Sequence, residues 1–119
     1  MADCILNIKR VYDHPETNDG YRILADRLWP RGMSRSDIFF DEWMKDVAPS
    51  TSLPKWFNQE AKKWSAFSWR YQQELKYNNS VTDLISKLKL HKSVTLLYSA
   101  SDKEHNHALA LKQFITGNG

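Results

Sequence analysis

The sequence predicts a small α/β fold, a sheet at least partly parallel and flanked by helices. Three observations carry this. The chain opens with two β-type segments. It returns near its end to a continuous apolar run, SVTLLY (Ser93–Tyr98), typical of a buried central strand. Between them lies a long stretch with helical periodicity.

Cys4 to Tyr12 alternates and is rich in Ile, Leu and Val, which predicts the first strand. HPETNDG (His14–Gly20) is a turn or loop. Tyr21 to Trp29 predicts a second strand, with Ile23, Ala25 and Arg27 on one face and Leu24, Asp26 and Leu28 on the other. Pro30 and Gly32 end it. Ser34 to Val47 fits a short strand or loop and then a helical turn. APSTSLP (Ala48–Pro54) is expected to be a loop that caps the next helix.

Trp64, Phe67, Tyr71 and Leu75 recur at spacings of three and four and form the apolar stripe of a helix. Asn78 and Asn79 end it. Ser80 is the expected cap of a second helix with Val81, Leu84, Ile85 and Leu88 on its stripe. Ser101 and Glu104 fit a capping box that opens the last helix, which carries Ala108, Leu111, Phe114 and Ile115 and stops at Gly117.

At 119 residues the chain is expected to be one domain, residues 1–119, able to bury a core without a staple. No apolar run approaches the roughly 20 residues of a membrane span, so no membrane partner is expected. The N-terminus lacks a signal-peptide layout. The lone Cys4 excludes an internal disulfide, and a cytoplasmic protein is expected. Cys4 reads as a small core residue, with no partner to stabilise a thiolate.

Charge is unevenly placed. The net charge is only +3, yet Arg10, Arg22, Arg27, Arg31 and Arg35 fall in the first 35 residues, and ten of eleven lysines come later. Guanidinium forks suit carboxylate and phosphate. In DGYRILADRLWPRG (Asp19–Gly32), Arg27 and Arg31 flank Trp29 and Pro30 at a strand end. They could clamp an anion that Gly32 lets the backbone approach. The competing reading is an internal ion-pair network with Asp26, Asp41 or Asp46.

The loop after the last strand, SASDKEHNH, is the second candidate. Ser99, Ser101 and Asp102 precede a helix N-terminus that favours an anion, although an ordinary N-cap explains the same residues. His107 shares a face with Leu111 and Phe114. It reads as a partly buried hydrogen-bonded histidine and also as the best general acid or base. Asp26 and Asp102 would form a carboxylate pair if their strands are neighbours. His105 and His107, two apart on a helix, would not share a face, so no metal site is expected. The mild charge, with arginines gathered in one segment, disfavours an extended nucleic-acid face. Trp29 or Trp56 could still stack on a base.

The segments DGYRILADRLWPRG, DEWMKDVAPST, FSWRYQQEL and VTLLYSASDKEHNHALAL resemble the YeaO-like family, a domain of unknown function, from Ile8 to about Phe114. The resemblance implies a small single-domain bacterial α/β protein and specifies no activity, cofactor or catalytic residue. Its pattern falls on Tyr21, Arg22, Asp26, Arg27, Trp29, Pro30, Arg31, Gly32, Trp43, Pro49, Ser50, Tyr98, Asn106 and His107. Arg22, Tyr98 and Asn106 thereby join the ligand-binding candidates. The expected ligand is a small phosphate- or carboxylate-bearing molecule, with a nucleotide as one form. The alternative is a non-catalytic regulatory or macromolecule-binding module with a structural arginine cluster.

Overall fold

A computed structural model describes residues 4–50, 52–57 and 60–117. Four strands, β1 (Ile5–Arg10), β2 (Tyr21–Leu24), β3 (Glu42–Trp43) and β4 (Ser93–Tyr98), form one sheet. Their order is β1-β4-β2-β3 and every pairing is parallel. The α-helices are α1 (Ser52–Phe57), α2 (Trp64–Lys76), α3 (Asn79–Leu90) and α4 (His107–Thr116). No described helix is long and apolar enough to cross a membrane.

The helices share one face of the sheet. Val94, Leu96 and Tyr98 of β4 and Ile23 of β2 pack there with Phe57, Phe67, Tyr71, Leu75, Leu84 and Leu111 in the larger core. On the other face Leu24 and Leu97 meet Val11 and Ile38, backed by Trp29, Met33, Phe40 and Trp43. The segment between β2 and β3 is therefore the second layer, in place of a helix.

This layering follows from handedness. The chain moves one way across the sheet from β1 to β2 to β3 and back from β3 to β4. Right-handed crossovers put opposite directions of travel on opposite faces. The β1–β2 connection lies on the loop face, where the carbonyl of its Asp19 accepts the Thr95 hydroxyl at 2.7 Å. The return carries α1, α2 and α3. At the adjacent C-terminal ends of β2 and β4, the chain departs to opposite faces, the topological position where open α/β sheets bind ligands.

Several boundaries differ from the sequence reading. The second strand ends at Leu24 rather than Trp29. Ala25 still donates to Leu97 at 3.0 Å, but the Asp26 carbonyl turns to the Trp43 indole at 2.7 Å. Asp26 consequently leaves the face of Leu24. Ser52–Phe57 is helical where a loop through Pro54 was expected, and Thr51 of that loop lies outside the described residues. Asn78, not Ser80, caps α3, accepting the Ser80 amide at 2.9 Å. Helix α4 starts at His107, and Asn106 caps it through the Leu109 amide. Ser101 and Glu104 precede that helix and form no capping box. Gly117 ends it in the left-handed conformation, as expected.

Candidate functional site

The end of β2 and the start of α4 meet at the switch point. His107 Nε2 lies 2.9 Å from the Ala25 carbonyl oxygen and 3.1 Å from Asp26 Oδ1. A carbonyl only accepts, so Nε2 carries the proton in this contact. Both Asp26 carboxylate oxygens are buried and accept no hydrogen bond from the described residues. A buried carboxylate without donors is rare, because its desolvation is uncompensated. The Tyr71 ring meets His107 edge-on at 6.3 Å, and its hydroxyl donates to the Val47 carbonyl. Complete burial holds the Tyr71 phenol well above its ordinary pKa, so it stays a donor.

A second aspartate–histidine pair stands beside the first. Asp102 Oδ2 lies 2.9 Å from His105 Nδ1, and its Oδ1 accepts the amides of Glu104 and His105 at 2.9 and 3.1 Å. The Glu104 amide and then the His105 side chain hold the Asp102 carboxyl below its usual range. An ionised Asp102 accepts the Nδ1 proton in a hydrogen bond and so orients the His105 ring. His105 also meets Trp64 edge-on at 5.6 Å.

His105 and His107 thus both contact α2, through Trp64 and Tyr71, two turns apart on one face. The expectation that they diverge assumed a helix through both. Asn106 is extended, with φ −143° and ψ 159°, and residues two apart on an extended chain project to one side. The two carboxylates do not pair with each other; each holds its own histidine. In the sequence His105 is weighed only as a metal ligand beside His107, and its pairing with Asp102 is not foreseen. The available signal was the aspartate three positions earlier, a spacing at which a turn brings the two side chains together. No group of three metal-ligating side chains occurs among the described residues.

The arginines divide sharply. Arg22 is 1% exposed, pairs with Asp19 and donates to the Phe39 carbonyl. Arg27 donates through Nε and Nη2 to the carbonyls of Pro49 and Ala48 at 3.1 and 3.0 Å. Its Nη1 is 4.0 Å from the exposed carboxylate of Asp46. Arg10 donates to the Ala100 carbonyl at 2.8 Å. Arg31 is exposed, and its guanidinium makes no contact of these kinds with the described residues. Nearby Gly32 has φ +79° and open space where a Cβ would stand, so its backbone conformation alone calls for glycine.

Other candidates sit in the framework. Asn106 is fully buried and bonds Asp102 and Leu109. Tyr98 is buried in the larger core, and burial raises its phenol pKa. Trp29 donates to the Met33 carbonyl. Ser50 binds Glu74 of α2 through its amide and hydroxyl at 2.9 and 2.6 Å. Ser99 is half-buried and Ser101 exposed in the loop after β4. Cys4 lies in an apolar groove of about 520 Å³ with Leu6, Ile85, Leu88, Lys89, Ile115 and Thr116. That groove holds none of the polar groups that converge on Asp26. Burial pushes the Cys4 thiol up, away from nucleophilic use.

Comparison with known proteins places these features in a lineage. A family model described as "Inactive DUF488-N3 subclade" matches residues 5–118. The uncharacterized protein YeaO of Escherichia coli (strain K12) is 42% identical over 110 residues, covering 92% of this chain and 96% of that protein. The uncharacterized protein Rv3073c of Mycobacterium tuberculosis (strain H37Rv) is 34% identical over 112 residues, 94% of each chain. Mb3100c of Mycobacterium bovis, also called uncharacterized, matches to the same extent. No solved structure matches.

Proposed function

Since this chain belongs to the family described as the inactive DUF488-N3 subclade, we propose that it binds a small anionic ligand without turning it over. The site is the switch point between the C-terminal ends of β2 and β4. Arg31 and the loosely engaged Nη1 of Arg27 meet the anion, a phosphate or carboxylate. The family's description as inactive favours binding over catalysis. With Asp26, His107 and Asp102 each held in a pair, their role is to shape and polarise the crevice. The lone, partly buried Cys4 fits a cytoplasmic setting.

The observation that carries this reading is Asp26, a buried carboxylate beside His107 whose oxygens accept no hydrogen bond from the described residues, at the place where α/β sheets bind ligands. An anion alone would not satisfy it. A ligand with an anionic end and an N–H or O–H donor would, and a nucleotide has both. The carboxylate is closed to solvent, and on this reading the ligand reaches it by displacing the neighbouring His107 ring from the Ala25 carbonyl.

A second reading has its own support. Arg22 and Arg27 are bound to Asp19 and to the carbonyls of Phe39, Ala48 and Pro49, as a structural arginine cluster requires. The chain would then be a regulatory module for a protein or nucleic acid. Melting curves with phosphate, nucleotides and small carboxylates separate the two. On the first reading, a ligand at 100 times its Kd adds about 2.7 kcal/mol of stability to the wild type. Arg31→Ala and Asp26→Asn lose most of that gain. A panel with no effect on the wild type rejects the site, and steeply salt-dependent DNA or RNA binding then supports the module.

A further inference from the structure

The loop face of the sheet carries three partly buried aromatic rings. Trp29 meets Trp43 at a centroid distance of 5.4 Å and 66°, and Phe40 at 5.7 Å and 64°. Both indoles are anchored by their N–H groups, Trp29 to the Met33 carbonyl and Trp43 to that of Asp26. Near-perpendicular rings tied at their edges make a rigid corner of π-faces.

A cation already stands there. The Arg35 guanidinium lies 5.2 Å from the Trp29 centroid and 5.8 Å from that of Trp43. Lys45 approaches Trp43 as well, at 4.4 Å. Arg35 is exposed and forms no ion pair with the described residues. The acid closest to it in sequence, Asp37, accepts the Ser34 amide instead. Ring attraction is the contact that holds the Arg35 head group, and such contacts are weak at exposed positions.

We propose that this corner binds a quaternary ammonium group and that Arg35, the tethered cation that meets both indoles, occupies it in the free protein, with Lys45 on Trp43 alone. The chemistry selects that class. A quaternary ammonium has no N–H to satisfy, so it needs π-faces and no acceptor. Here the faces are fixed and both indole donors are already engaged. Lys45 reaches Trp43 because the chain tethers it there; a free primary ammonium would keep more of its hydration shell and gain less. Arg35 competes from within the chain, so the wild type binds more weakly than the corner alone allows.

The test follows the indole N–H resonances of Trp29 and Trp43 by NMR. The protein is titrated with tetramethylammonium, choline, a trimethyllysine peptide and its unmethylated form, each against sodium chloride at equal ionic strength. The quaternary cations should shift both resonances, and the unmethylated peptide should not. Arg35→Ala and Arg35→Gln should tighten binding about two- to five-fold, the factor an exposed cation–π contact supplies. Tighter binding of the peptide than of choline marks a protein partner, and the reverse marks a free small amine. The proposal is overturned if the salt control reproduces the shifts, or if neither variant, folded by its spectrum, binds more tightly.

Discussion

His107 Nε2 is shared between two acceptors, the Ala25 carbonyl at 2.9 Å and Asp26 Oδ1 at 3.1 Å, although it carries a single proton. The carbonyl takes that proton, and the buried carboxylate keeps the imidazole as a close neighbour while its oxygens accept no hydrogen bond from the described residues. The end of β2 therefore carries a local stability cost of the kind found at binding sites.

Replacing Asp26 should expose that cost. Asp26→Asn keeps the shape of the side chain and replaces oxygens that accept no hydrogen bond from the described residues. It should be neutral or stabilising by up to about 1 kcal/mol. His107→Ala should destabilise by about 1–3 kcal/mol, because the Ala25 carbonyl loses its donor. Urea denaturation of both variants and the double variant measures the effects and their coupling.

The arginines should rank by partners rather than by position in the motif. Arg22→Ala empties a buried site, takes the donor from the Phe39 carbonyl and leaves Asp19 with Lys9 as its remaining cation, so it should cost most, about 3 kcal/mol. Arg27→Ala loses two bonds to the loop before α1 and should cost about 1–3 kcal/mol. Arg31→Ala should stay within about 0.5 kcal/mol of the wild type. Chemical denaturation gives the order, and an equal cost at all three positions would contradict it.

Acid should loosen the first connection. Burial opposes charge on Asp19, but the Glu16 amide, the Lys9 ammonium and the Arg22 guanidinium outweigh it, so the carboxyl titrates below its usual range. A depressed carboxyl pKa contributes stability above the unfolded value, about 3.9, and loses it as pH falls through the folded value. Stability should drop below about pH 4. Asp19→Asn should be weaker at pH 7 and show a flatter fall across that window in urea melts.

Two glycines separate conformation from contact. A Cβ on Gly20, at φ +68°, would stand 2.1 Å from the Ser93 carbonyl oxygen, whereas Gly32 faces open space. Gly20→Ala should cost more than about 3 kcal/mol, from strain and overpacking together. Gly32→Ala should cost only the left-handed backbone penalty, about 1–2 kcal/mol. Thermal melting of the pair tests the difference.

Apolar patterning located β1 and α2, each of which repeats the spacing one buried face requires; the continuous apolar run located β4, and the glycine signal located the stop at Gly117. Charge clustered at a strand end singled out Asp26, Arg27 and Arg31, and a titratable side chain beside a polar loop singled out His107. Their partners were not legible there. Asp26 meets His107 across 81 positions because a parallel sheet sets the end of β2 beside the chain that follows β4. Arg22 is locked by Asp19, and Arg27 by two carbonyls, because loop paths decide which donor meets which acceptor. Local pattern dictates which face of a segment is buried. Which polar group ends beside which depends on strand order and crossover direction, and only the folded chain decides those.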